Sequence, residues 1–157
     1  MSRKFLTDEG YQRLHGELTH LVRTERPEIT KIVSWAASLG DRSENADYTY
    51  NKRKLREIDR RIRFLTKLFE VAQSVEYHPQ QDGKVYFGAW VQLENDHGET
   101  IKFRIVGDEE IYGEKDYVSL QSPMAKACLG KSIDDEVKVE TPNGVKNWYI
   151  QTIYYKG

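Results

Sequence analysis

Two seven-residue repeats, separated by one short break, dominate the first half of the chain. The first runs through Tyr11, Leu14, Leu18, Leu21, Glu25, Glu28, Ile32, Trp35 and Leu39, in alternating steps of three and four. That spacing is the seam of a coiled coil. The second runs through Tyr48, Asn51, Leu55, Ile58, Ile62, Leu65, Phe69 and Ala72. Two such stripes joined by a short turn bury each other most simply as an antiparallel helical hairpin. Thr7 is the expected N-cap of the first helix, with Asp8 and Glu9 in its first turn, and Gly40 the expected stop. At about 1.5 Å per residue, about 32 residues make an arm roughly 48 Å long. Pro27 sits between two seam glutamates, so the seam is expected to weaken there and the helix to bend.

After residue 78 the period changes. Residues 79–83 read as a linker, and β-rich runs follow at 85–93, 100–106, 117–120, 136–141 and 148–155. Turn residues separate them at 95–98 and 142–144. One short helix interrupts the series, with Ser122 as N-cap, Pro123 at the first position and Gly130 past the end. The predicted fold is therefore α+β: a hairpin domain over 1–78 and a compact α+β domain over 79–157.

Net charge is only -1, but it is unevenly placed. Residues 1–76 carry 15 Lys and Arg against 12 Asp and Glu, whereas residues 77–157 carry 9 against 13. Much of the excess lies on the second helix, in Lys52, Arg53, Lys54, Arg56, Arg60, Arg61, Arg63 and Lys67. Arg53, Arg56, Arg60, Arg63 and Lys67 form an unbroken row opposite the seam, about 21 Å long at 1.5 Å per residue. Solvated helix faces usually mix signs, because opposite charges three or four residues apart stabilise the helix. A row of one sign repels itself and suits a polyanion, bound through its backbone without sequence readout.

Between the helices, Asp41, Glu44 and Asp47 are spaced by three at the predicted tip. Two readings follow from that spacing. Asp41 caps the second helix, Glu44 completes a capping box, and the acids complement the positive helix end. Alternatively, Asp41 and Glu44 form part of a metal site: Mg²⁺ takes one or two protein carboxylates and leaves its other positions to water or phosphate. Such a site is weak alone and needs a partner that supplies the rest.

Other chemistries are absent from the sequence. The single cysteine, Cys128, excludes an intrachain disulfide and a Cys-rich zinc site, and fits a reducing cytoplasm. The start of the chain lacks a signal-peptide core, and no apolar run approaches the roughly 20 residues of a membrane helix. The four histidines are scattered, and no phosphate loop, dinucleotide fingerprint or nucleophile elbow occurs. No self-sufficient active site is legible.

The segment Trp35-Ala36-Ala37-Ser38-Leu39-Gly40-Asp41-Arg42-Ser43-Glu44-Asn45-Ala46-Asp47-Tyr48 resembles the signature of the Gre family of bacterial transcript-cleavage factors, in its GreB-type branch. Residues 50–61, 87–91, 103–107 and 122–125 extend the likeness over the whole chain. The resemblance implies a coiled coil that enters the secondary channel of bacterial RNA polymerase and an FKBP-like second domain that docks near the channel entrance. It further implies that Asp41 and Glu44 share a Mg²⁺ with the polymerase. The factor would then stimulate the polymerase's own cleavage of the nascent RNA 3′ end in backtracked complexes. Lys52, Arg53, Arg56, Arg60, Arg61, Arg63 and Lys67 would contact RNA or the channel wall. The free protein is expected to be monomeric and not itself an enzyme. Two other functions are weighed against this one: a channel-binding regulator without cleavage, which would not need the tip acids, and a prolyl isomerase, for which fold analogy is a poor warrant.

Overall fold

A computed structural model of the chain describes residues 3–40 and 44–155. The described chain divides into two compact units, one formed by Glu9–Gln73 with the start of the chain, the other by Phe5–Asp8 with the residues from Ser74 onward.

The first unit is the hairpin. Helix α1 (Asp8–His20) passes through a π-helical turn (Leu21–Glu25) into helix α2 (Arg26–Ala37), and helix α3 (Ala46–Val71) returns. Cross-arm pairs fix the antiparallel sense. Glu17 meets Arg61, Arg26 meets Asp59, and Ala36 meets Asn45, so partner numbers fall on α3 as they rise on the outgoing arm. On α3 the predicted seam is buried or half-buried throughout, with Ile58, Leu65 and the added Leu68 innermost. The coiled-coil expectation holds for this arm.

On the outgoing arm it holds only as far as Leu21. The apolar side chains buried there are Leu14, Leu21, Ile29 and Ala36, whereas Glu28 is exposed and Ile32, Trp35 and Leu39 are 39%, 56% and 58% exposed. The seam has slipped by one position. The cause is the π-helical turn, in which the Arg26 N–H donates to the Leu21 carbonyl five residues back. Pro27 brings no N–H for the Arg23 carbonyl, and its ring would crowd that carbonyl in a regular α-helix. The wider turn relieves both problems and takes up one extra residue. Every later seam position therefore moves by one: 28 to 29 and 35 to 36. The proline does mark the irregularity, but it resets the register rather than merely weakening the seam.

The second unit is a five-stranded sheet with one helix. Its strands are β3 (Trp90–Glu94), β4 (Thr100–Val106), β5 (Tyr117–Ser119), β6 (Glu136–Thr141) and β7 (Gly144–Tyr154), in the order β5-β4-β3-β7-β6. All neighbours are antiparallel except β4 and β5. Helix α4 (Pro123–Cys128) lies between β5 and β6 in sequence, with the Ser122 hydroxyl accepting from the Ala125 N–H at 3.2 Å, as its cap spacing predicts. The core gathers Val91, Leu93, Phe103, Ile105, Val137 and Ile150 with Ala125 and Cys128 of the helix. Residues 85–89 are not strand, contrary to expectation: the chain turns through Gly88 at φ 89° before β3 begins. Burial pushes the Cys128 thiol up to about 12, so it stays protonated and inert.

Sequence reading gives no hint of a short ribbon of β1 (Lys4–Thr7) and β2 (Ala72–Val75), or of a buried acid in the second unit. The Glu110 carboxylate is fully buried and accepts from the Thr7 N–H at 2.9 Å, the Gly107 N–H at 2.7 Å and the Thr7 hydroxyl. Burial raises its pKa, against the lowering effect of those donors and of Arg104. Gly107 must be glycine here, because a Cβ would stand 2.1 Å from the Phe5 carbonyl oxygen.

The register shift is directly testable. Ile29→Ala should destabilise the hairpin by about 2–4 kcal/mol, as deletion of a buried side chain does, whereas Ile32→Ala should stay within about 0.5 kcal/mol. Urea titration followed by helical circular dichroism distinguishes this from an unbroken heptad, which reverses the order.

Candidate functional site

The tip is built on the ends of two helices. α2 runs out in overlapping turns, with the Ser38 N–H reaching the Ser34 and Trp35 carbonyls and the Leu39 N–H reaching that of Ala36. Gly40 then takes φ 122°, which only glycine adopts freely. Asp41, with Arg42 and Ser43, lies outside the described residues.

The return helix begins at Ala46, and its N-cap is Asn45, in an extended conformation. The Asn45 Oδ1 accepts the Tyr48 N–H at 3.1 Å, while its Nδ2 donates to the Ala36 carbonyl at 2.6 Å. This corrects the capping-box expectation. The cap position belongs to Asn45, and Glu44 precedes it, outside the helix. Glu44 and Asp47 therefore do not stand on successive turns of one helix. Glu44 is exposed and relieved of capping, and Asp47 is exposed in the first turn, where a negative charge suits the positive helix end. The sequence did carry a signal for the missed cap: asparagine is among the strongest N-cap residues. Among the described residues, no group of three or more His, Cys, Asp or Glu is placed to hold a metal ion.

The cations on α3 separate into two sets. Arg53, Arg56, Arg60, Arg63 and Lys67 are all exposed, and among the described residues none is held in an ion pair. Arg61 is different. Its Nε and Nη2 donate to both oxygens of Glu17 at 2.6 and 2.9 Å, and its guanidinium lies 5.3 Å from the centre of the Phe64 ring. That pairing joins α1 to α3, and the Arg61 hydrogen bond lowers the Glu17 pKa. Lys52 is half-buried and lines a shallow groove between α2 and α3 with Ser34, Ser38 and Tyr48. Among the described residues the unpartnered set is thus the predicted row of five with Lys54 beside it, while Arg61 is committed to the hairpin and Lys52 lines a groove.

Matches to known proteins cover both halves of the chain. Residues 4–73 match the family model described as transcription elongation factor, N-terminal, and residues 80–155 match that for the GreA/GreB C-terminal domain. The chain belongs to the GreA/GreB family of transcription elongation factors. Transcription elongation factor GreB of Vibrio vulnificus is 62% identical over 156 residues, covering 99% of this chain and 98% of the relative. GreB of Pseudomonas putida is 61% identical over 155 residues, covering 99% and 96%. The solved Gfh1 of Thermus aquaticus is 27% identical, covers 98% of this chain and 99% of its own, and superposes with a TM-score of 0.44. Like its relatives, this Gre factor is a transcription factor, and no described helix is long and apolar enough to cross a membrane.

Two outcomes test the geometry. Asn45→Ala should lower hairpin stability by about 1 kcal/mol, while Glu44→Ala leaves it nearly unchanged, because the cap belongs to Asn45. The Glu17 pKa is lowered in the folded state, so its contribution is present above the ordinary glutamate pKa and disappears as pH falls through the folded value. Glu17→Gln should therefore cost at most about 1 kcal/mol near neutral pH and nothing in strong acid, as read from urea midpoints at each pH.

Proposed function

We propose that this Gre factor carries its hairpin tip into the secondary channel of bacterial RNA polymerase and there stimulates the polymerase's own cleavage of the nascent RNA 3′ end. Backtracked complexes, whose extruded RNA blocks elongation, would regain a usable end. Family membership supports the class of activity. The observation that carries the site is Glu44: an exposed carboxylate, free of any capping duty, immediately before the cap of a helix at the far end of a hairpin.

Asp41 joins Glu44 through the family resemblance. Two carboxylates are what Mg²⁺ takes from a protein when water and phosphate complete its shell, so this donor set fits a magnesium shared with the polymerase and does not fit an independent site. When bound, the ion would polarise water and stabilise developing charge on phosphate oxygens. The chain's own part is to present the two acids and to track the RNA backbone with the row Arg53, Arg56, Arg60, Arg63 and Lys67. No base-reading arrangement accompanies that row, so the contact is electrostatic and indifferent to sequence.

Two measurements test the roles separately. In a stalled, backtracked polymerase complex, Asp41→Asn with Glu44→Gln should reduce cleavage by about 100-fold or more with polymerase binding unchanged, and high Mg²⁺ should restore part of it. Equal cleavage by wild type and variant would leave a channel-binding regulator whose acids have no metal role. Reversal of Arg53, Arg56 and Arg60 to Glu should weaken RNA contact and flatten its salt dependence by a log–log slope of about 2. An unchanged slope would reduce the row to a solvated helix face.

A further inference from the structure

Asn45 makes two hydrogen bonds that do different things. Its Oδ1 accepts the Tyr48 N–H at 3.1 Å, the ordinary work of an N-cap. Serine or threonine would do the same. Its Nδ2 donates to the Ala36 carbonyl at 2.6 Å, across the hairpin and nine residues back along the chain. No cap requires this second bond. Ala36 is fully buried in the seam, so the acceptor belongs to the packed part of the distal hairpin. The chain between 36 and 45 is thereby pinned at its base, on one side by the end of α2 and on the other by the cap of α3.

We propose that Asn45 is a positioning residue for cleavage stimulation, and that its bond to the Ala36 carbonyl holds the Glu44 backbone in register with the rigid hairpin. This deepens the proposed function and rests on it. Glu44 is the neighbour of Asn45 in the chain, exposed, and outside any helix. Its own surroundings therefore do little to orient it, and its backbone is fixed through the next residue. A partial metal site completed by a partner demands that both contributions arrive in the correct geometry. A misplacement of about 1 Å at a reacting centre costs up to about 100-fold in rate. A polar side chain that ties the acid-bearing segment to a buried carbonyl supplies that placement before the partner is met. The Ala36 carbonyl lies in the last turn of α2 and already accepts the Leu39 N–H at 3.1 Å, so the Asn45 amide takes the second lone pair of an oxygen held by the helix end.

Asn45→Ser separates the two bonds, because serine keeps the cap and cannot reach Ala36. The assay is RNA cleavage in a backtracked polymerase complex at saturating factor, across a Mg²⁺ titration, with the melting temperature of the free protein and its polymerase affinity measured alongside. The expected result is a melting temperature and affinity close to wild type, a cleavage rate about 10-fold lower, and a higher Mg²⁺ requirement. Asn45→Gln, whose longer side chain cannot satisfy both partners at once, should also be impaired. Wild-type cleavage and Mg²⁺ dependence in Asn45→Ser would overturn the proposal and leave Asn45 a helix cap alone. A cleavage defect that follows the loss of melting temperature, with no change in Mg²⁺ requirement, would overturn it too. Asp41→Asn/Glu44→Gln in the same assay distinguishes this failure from failure of the cleavage reading itself, since that variant loses activity whether or not Asn45 positions the acids.

Discussion

A missing backbone N–H sets the geometry of the distal hairpin. Pro27 cannot continue the hydrogen-bond ladder, and the π-helical turn before it takes up one residue. Everything farther along the outgoing arm is rotated by that residue. Ile29 and Ala36 come to face α3, and Ile32, Trp35 and Leu39 turn away from it. The Asn45 clamp depends on this rotation, because it needs the buried Ala36, and not Trp35, at the end of the seam. A proline nine residues before Ala36 thus decides which carbonyl the tip is tied to.

Charge on the hairpin is sorted by the same packing. Glu17 and Asp59 each take a cation across the arms, Arg61 and Arg26 respectively. Exposed pairs of this kind add little stability, but they occupy two arginines and so determine which cations remain unpaired. What remains on α3 is the row opposite the seam, spaced so that each member follows the same helix face, with Lys54 beside it. The second unit rests on different physics: a sheet with an apolar core on its helix side, and a buried carboxylate at Glu110 that binds the strand around Thr7.

Periodic features were legible in the sequence, and local departures from them were not. The α3 stripe, the Ser122–Pro123 helix start and the turn at Asn143 and Gly144 follow from spacing and composition, because each is decided within a few residues. Seam assignments beyond Pro27 failed because a heptad count assumes uniform pitch, and a single wide turn displaces every later position. Glu110 was hidden for another reason: its partners Thr7 and Gly107 meet it only after folding, one of them more than 100 residues away. At the tip, Asp41 and Glu44 could be singled out as acids in an exposed turn. Which residue capped the helix depended on where α3 begins: the expected cap was Asp41, and the helix starts four residues later, with Asn45 as its cap.

One further consequence comes from Cys128. It is the chain's only thiol, it is fully buried in the helix-side core of the sheet, and its pKa stands near 12. Maleimides and spin labels react with thiolates that solvent reaches, so the native chain offers them no target. A cysteine introduced on the hairpin surface would be modified alone, in the folded protein, with no need to remove the native one. The burial that keeps Cys128 silent thus leaves the molecule ready for single-site distance measurements from any exposed position of the hairpin.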